Sequence, residues 1–214
     1  MFPLKDENPT RRRPILTTLL IILNFGIFLW SYFSGSFEEI VNEYGMKPFL
    51  VSQGKELYTL FTSMFLHGGF LHIGGNMLYL WIFGDNIEDA FGRKKFLIFY
   101  FLCGLAASFS HLLSNPSSTI PAIGASGAIS GVLGAYLVLY PRAKVLTAVM
   151  YFYFIRVIKI PAFFFLGFWF ILQALSASLF LVAGAPSEVA YWAHIGGFLA
   201  GAVMALPKRG SRRG

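Results

Sequence analysis

A single cysteine, Cys103, stands in 214 residues, so no intramolecular disulfide framework is available. Charge is scarce too: 13% of residues are Asp, Glu, Lys or Arg, against about 25% in an ordinary soluble domain. Hydrophobic residues make up 56% and the mean hydropathy is +0.64. This balance excludes water as the main solvent and marks an integral membrane protein. Four scattered histidines and one cysteine make no ligand cluster, and no Gly-rich phosphate loop is present, so neither metal nor cofactor is expected. The net charge of +7 does not point to nucleic acid, because the basic residues flank apolar runs. No internal repeat or low-complexity segment divides the chain, and residues 1–214 are read as a single domain.

What is present is a series of long apolar runs. About 20 apolar residues, at about 1.5 Å each, cross a hydrocarbon core of about 30 Å. Six runs qualify or nearly qualify: about 15–33, 65–84, 96–113, 124–140, 161–182 and 189–206. The first follows Arg11-Arg12-Arg13, as a signal peptide would, but it is long and no A-x-A-like cleavage site follows. Six spans put both termini on one side, and that side receives fifteen of the seventeen Lys and Arg residues, leaving Lys47 and Lys55 opposite. The termini are therefore expected in the cytoplasm. The fold class expected is an all-α membrane protein, a six-transmembrane-helix bundle. The run 145–162, "VLTAVMYFYFIRVIKIPA", imitates a seventh span, but Arg156 and Lys159 interrupt it and Pro161 ends it. It reads as a cytoplasmic linker hugging the membrane. The external loop at about 34–64 is long and mixes acids with Phe, Tyr and Leu, which marks it as functional or partly buried.

Polar side chains inside spans are costly and face the bundle interior. His72 and Asn76 on the second span, Ser126 on the fourth and His194 on the sixth share one depth, in the outer part of the membrane. Gly127 and Gly131 form a G-x-x-x-G pair on the fourth span, and Gly197 and Gly201 another on the sixth. Small residues at that spacing let helix backbones approach closely, which brings Ser126 and His194 to adjacent helix tops. A neutral imidazole can take the proton of a serine hydroxyl near pH 7. No acid lies at that depth: Asp85, Glu88 and Asp89 sit at the cytoplasmic end of the second span, and Glu188 in an external loop. The expectation is a Ser–His dyad. His72 and Asn76, four residues apart on one helical face, together with the Ser126 backbone N–H, are candidate donors to an oxyanion. Ser126, in the first turn of its helix, gains the dipole and unpaired N–H groups that Ser130 lacks. Against this stands the plainer reading, in which each polar residue is interhelical glue.

Three motifs, G-A-S-G at 124–127, His72-x-x-x-Asn76 in "HIGGNMLYLWIFG" and "AHIGGFLAG" at 193–201, occur in the order found in rhomboid intramembrane serine proteases. The chain resembles that family over essentially its whole length. The resemblance implies Ser126 as nucleophile, His194 as general base and His72 and Asn76 as oxyanion-stabilising positions. It also implies cleavage of peptide bonds in or near transmembrane segments of other membrane proteins, without metal or cofactor. The segment 34–64 resembles the family's first loop, and "PAFFFLGFWFILQALSA" the fifth helix, proposed as a lateral gate; the same span reads equally well as a lipid-facing helix. Two departures stand out. Leu57-Tyr58-Thr59 replaces a Trp-Arg pair common in the first loop, and Ser130 stands where some members place a tyrosine against the histidine. The short tails suit a multi-pass protein of the bacterial cytoplasmic membrane, with membrane lipid and single-span or other transmembrane substrates as partners. Two rival classes are a non-proteolytic, chaperone-like binder of membrane helices and a small transporter. The transporter lacks an intramembrane carboxylate and a discernible repeat.

Overall fold

The computed structural model describes residues 1–151, 153–183 and 189–210. A short strand β1 (Phe2–Asp6) precedes the long helix α1 (Ile15–Phe33). The following loop folds into α2 (Phe37–Tyr44), α3 (Pro48–Ser52), α4 (Thr59–Thr62) and a 3-10 turn (Ser63–Phe65). Helices α5 (Phe70–Phe91), α6 (Arg93–Ser114) and α7 (Ser126–Leu139) come next, then strands β2 (Lys144–Tyr151) and β3 (Phe154–Pro161), and finally α8 (Ala162–Ala183) and α9 (Tyr191–Gly210).

Three of these helices, α1, α6 and α8, are long and apolar enough to cross a membrane. In α1 the buried stripe is Thr17, Leu20, Asn24, Phe28 and Ser31, an i, i+3/i+4 face that carries the helix's polar residues inward. Asn24 and Ser31 donate back to the carbonyls of Leu20 (2.7 Å) and Phe28 (3.1 Å), so both donors are satisfied inside their own helix, while Asn24 Oδ1 is buried without a partner. The opposite face, with Ile22, Leu23, Leu29 and Trp30, is exposed, as a lipid-facing surface would be. No side chain of α1 caps its own N-terminus. Instead the buried Glu88 carboxylate of α5 accepts from the Leu16 N–H (3.0 Å), the Thr17 N–H (2.8 Å) and the Thr17 hydroxyl (2.8 Å).

The centre of the molecule is α7, whose residues Gly127 to Tyr136 are all buried. Its closest neighbour is α9, and glycine on both helices makes the approach possible. A Cβ added to Gly201 would fall on the Gly131 carbonyl oxygen, one on Gly197 on the Gly127 carbonyl, and one on Gly134 on the Phe198 carbonyl. Helix α6 closes the third side through Cys103 and Ala107, which fill the space above Gly131 and Gly127.

The chain is mostly helical, but the all-α expectation needs correction. The run 145–162, expected as a linker, is two strands that complete an antiparallel three-stranded sheet in the order β1-β2-β3. Phe2 pairs with Ala148, Asp6 with Val145, and Lys144 with Pro161 across the hairpin. The physical reason is composition: Val, Ile, Tyr, Phe and Thr favour a pleated backbone, and in β2 Val145 and Thr147 are buried at the two-residue spacing of a strand, which hydropathy averaging hides.

The loop 34–64 is tied to the segment before α7. Met46 and Ala122 exchange backbone hydrogen bonds of 3.0 and 2.8 Å, Phe49 N–H reaches the Ser118 carbonyl at 2.9 Å, and Met46, Val51 and Met64 are buried. At the departure Leu57-Tyr58-Thr59, the Tyr58 hydroxyl donates to the Glu43 carbonyl (3.0 Å) and Thr59 to the Glu56 carbonyl (2.7 Å).

Candidate active site

Ser126 is the first residue of α7. The turn leading into it is set by Gly124, whose φ of +124° lies in the region that favours glycine, and whose N–H donates to the Ser63 carbonyl at 2.9 Å. A side chain at 124 would also stand 2.8 Å from His72 Nε2. His194 lies in the first turn of α9. Because α7 and α9 touch through their glycines, the two helix starts are brought together, and His194 Nε2 lies 2.8 Å from Ser126 Oγ. Ser130, one turn deeper, is buried and donates to the Ser126 carbonyl at 2.7 Å, so its hydroxyl is engaged within α7.

Two further donors face the same turn from α5. His72 Nδ1 accepts from the Gly68 N–H at 3.2 Å, so the proton of the neutral ring sits on Nε2, the nitrogen beside Gly124. One turn along, Asn76 is buried, and its side-chain NH2 has no protein partner. A buried amide donor without a partner is costly, and this one lies just behind His72 at Gly124. A cleft lined by Met46, Ser63, Ala122, Ser126 and Ala193 opens beside the serine.

Two residues of the site were not singled out from the sequence. Gln173 of α8 places its Oε1 2.7 Å from His194 Nδ1. Trp169, four residues earlier on the same face, lies against the imidazole with ring centroids 5.9 Å apart and also stacks on Phe198 at 6.0 Å. The signal was available, since Gln173 is the one amide in an aromatic run of α8, with Trp169 at i−4. Ser130 offers the histidine no ring from α7; Trp169 of α8 packs on it, and Tyr191 of α9 meets it edge-on with centroids 6.5 Å apart. Among the described residues no three His, Cys, Asp or Glu side chains converge as metal ligands would. Glu188, the acid nearest to His194 in sequence, lies outside the described residues.

Comparison with known proteins bears on the family of the chain. A family model described as "Rhomboid domain" matches residues 54–210. The chain is 32% identical over 203 residues to "Rhomboid protease GluP" of Bacillus subtilis (strain 168), covering 93% of this chain and 36% of that protein. It is 40% identical over 88 residues to "Rhomboid protein 1, mitochondrial" of Saccharomyces cerevisiae, covering 39% of this chain and 25% of the relative. A third relative, "Putative rhomboid protease YdcA" of Bacillus subtilis (strain 168), is 30% identical over 133 residues, 59% of this chain and 63% of its own length. The chain thus spans only a quarter to about a third of the first two relatives. The matched region nevertheless takes in α5, α7, α8 and α9, the four helices that carry Ser126, His194 and the side chains around them. With a family model covering most of its length and three apolar helices able to cross a bilayer, this integral membrane protein belongs to the rhomboid family.

Proposed function

We propose that the protein is an intramembrane serine endopeptidase that cuts peptide bonds in or near transmembrane segments of other membrane proteins. The observation that carries this reading is the 2.8 Å separation of His194 Nε2 and Ser126 Oγ. A neutral imidazole with its proton on Nδ1 offers the Nε2 lone pair to the hydroxyl. As Ser126 Oγ attacks the scissile carbonyl carbon, His194 takes the hydroxyl proton and the carbonyl oxygen becomes an oxyanion. The Asn76 amide, His72 Nε2–H and the Ser126 backbone N–H are the donors for that charge, and the start of α7 adds its dipole. His194 then gives its proton to the leaving amine. A water, deprotonated by the same ring, hydrolyses the acyl-serine and restores the hydroxyl. None of these steps calls on a metal or cofactor.

The membrane arrangement belongs to the same reading: six spans in one domain, both termini in the cytoplasm, and the site in the outer half of a bacterial cytoplasmic membrane. Helix α7 has 14 residues, about 21 Å at 1.5 Å each, which is short of a hydrocarbon core of about 30 Å. A central helix too short to cross supports a Ser126 recessed below the surface, reached by water through the cleft beside Met46 and Ser63.

Cleavage of a single-span substrate by the purified protein tests the reading. Ser126→Ala and His194→Ala are each expected to lower the rate at least about a thousandfold, with wild-type cleavage unchanged by EDTA. Cleavage surviving in both variants would overturn it. A protein that held substrate helices but was not labelled at Ser126 by a fluorophosphonate would instead be the chaperone-like binder.

A further inference from the structure

We propose that Gln173 is the positioning residue of His194, selecting by its side-chain carbonyl the tautomer that lets the ring accept a proton from Ser126. This inference rests on the reading of Ser126 and His194 as the reacting pair. A neutral imidazole carries one proton. With that proton on Nε2 the ring donates to Ser126 and cannot take its proton; with it on Nδ1 the ring accepts. Whatever faces Nδ1 therefore decides which form is populated. Here Gln173 Oε1 faces it at 2.7 Å, and a carbonyl oxygen there can only accept. Among the described residues no carboxylate hydrogen-bonds to His194, so the amide of Gln173 is the group in the position to choose.

The rest of α8 supports the same role. Trp169, one turn before Gln173, lies over the imidazole, and Phe170 stacks on Phe198 at 4.6 Å. These contacts fix ring rotation, while Gln173 fixes the proton. The remainder of the helix is exposed at Phe163, Phe164, Phe168, Ile171, Leu172 and Leu175. The outermost helix thus reaches the reacting pair through one amide and one indole, and a displacement of α8 from α9 would release the base from both.

Cleavage kinetics with a single-span substrate and fluorophosphonate labelling of Ser126 distinguish this role from space filling. Gln173→Met keeps the side-chain length but removes the acceptor. It is expected to lower kcat and the labelling rate by roughly tenfold, with KM within about twofold of wild type. Gln173→Glu restores an acceptor at the same reach and is expected to keep both rates within about threefold of wild type. Should Gln173→Met fail to fold, Gln173→Asn withdraws the amide by one methylene and is expected to show the same loss. Wild-type rates in Gln173→Met or Gln173→Asn would overturn the proposal, and so would a Gln173→Glu as slow as the variants lacking the acceptor. Ser126→Ala and His194→Ala run in parallel: if they still cleave, the reading of the pair fails; if they are inactive while Gln173→Met is not, only the role of Gln173 fails.

Discussion

At the scale of single residues, the candidate site is a set of groups aimed at the start of one helix. Asn76 is the most informative of them, since a buried NH2 with no protein partner is destabilising unless something else uses it. Its proposed use is the oxyanion, which exists only during the reaction. Asn76→Ala is accordingly expected to reduce kcat by about a hundredfold and leave KM nearly unchanged. Kinetics on the purified variant check this, and a change confined to KM would place Asn76 in substrate binding. The serine and histidine were legible in the sequence because each sits in a glycine-rich motif at the start of an apolar run. Gln173 was not, because one amide within Phe, Trp and Leu reads as noise until α8 is seen against α9. Hydropathy reports how a helix meets lipid, not which of its atoms meets a neighbour.

At the scale of elements, the α7–α9 contact is the structural requirement on which the site depends. Helix backbones this close leave no volume for a side chain, and the Gly131 carbonyl occupies the place of a Cβ at 201. Gly201→Leu therefore forces the helices apart, beyond the 1–3 kcal/mol typical of an overpacked core (roughly). Its thermal unfolding temperature in detergent should fall, and labelling of Ser126 should be lost with it. An unchanged unfolding temperature would mean that the two helices part easily. The glycine spacing was readable from sequence, because a four-residue repeat of small residues on two runs has few other uses.

The sheet side carries a different balance. Asp6 of β1 is buried, accepting from the Tyr136 hydroxyl at 2.6 Å and from Asn86 Nδ2 at 3.0 Å. Burial raises its carboxyl above the ordinary 3.8, with the Tyr136 hydrogen bond pulling the other way. A raised carboxyl contributes stability that is full below 3.8 and lost as pH rises through the folded-state value. Asp6→Asn keeps a carbonyl for both donors without the charge. Between about pH 4 and 7, the unfolding temperature of Asp6→Asn should therefore rise relative to wild type. A difference that stayed flat would show that the carboxylate is solvated in the fold.

At the scale of the whole molecule, the helices were legible from apolar runs: 15–33 coincides with α1, and 161–182 is displaced by one residue from α8. The sheet was not. Its first strand is five residues long, too short to carry a period. Its hairpin is apolar enough to satisfy the criterion for a buried helix, and the distance between Phe2 and Ala148 along the chain hides their pairing from any local window. That long-range pairing bears on the order in which the protein is made. Residues 2–6 have no sheet partner until residues 145–148 follow. The opening turn of α1 likewise waits for Glu88 of α5 to satisfy its N–H groups. Loop closure over such spans is slow relative to local helix formation. Residues 2–6 thus stay unclasped while α1, α5, α6 and α7 are synthesised, and the sheet closes only after those helices have been made.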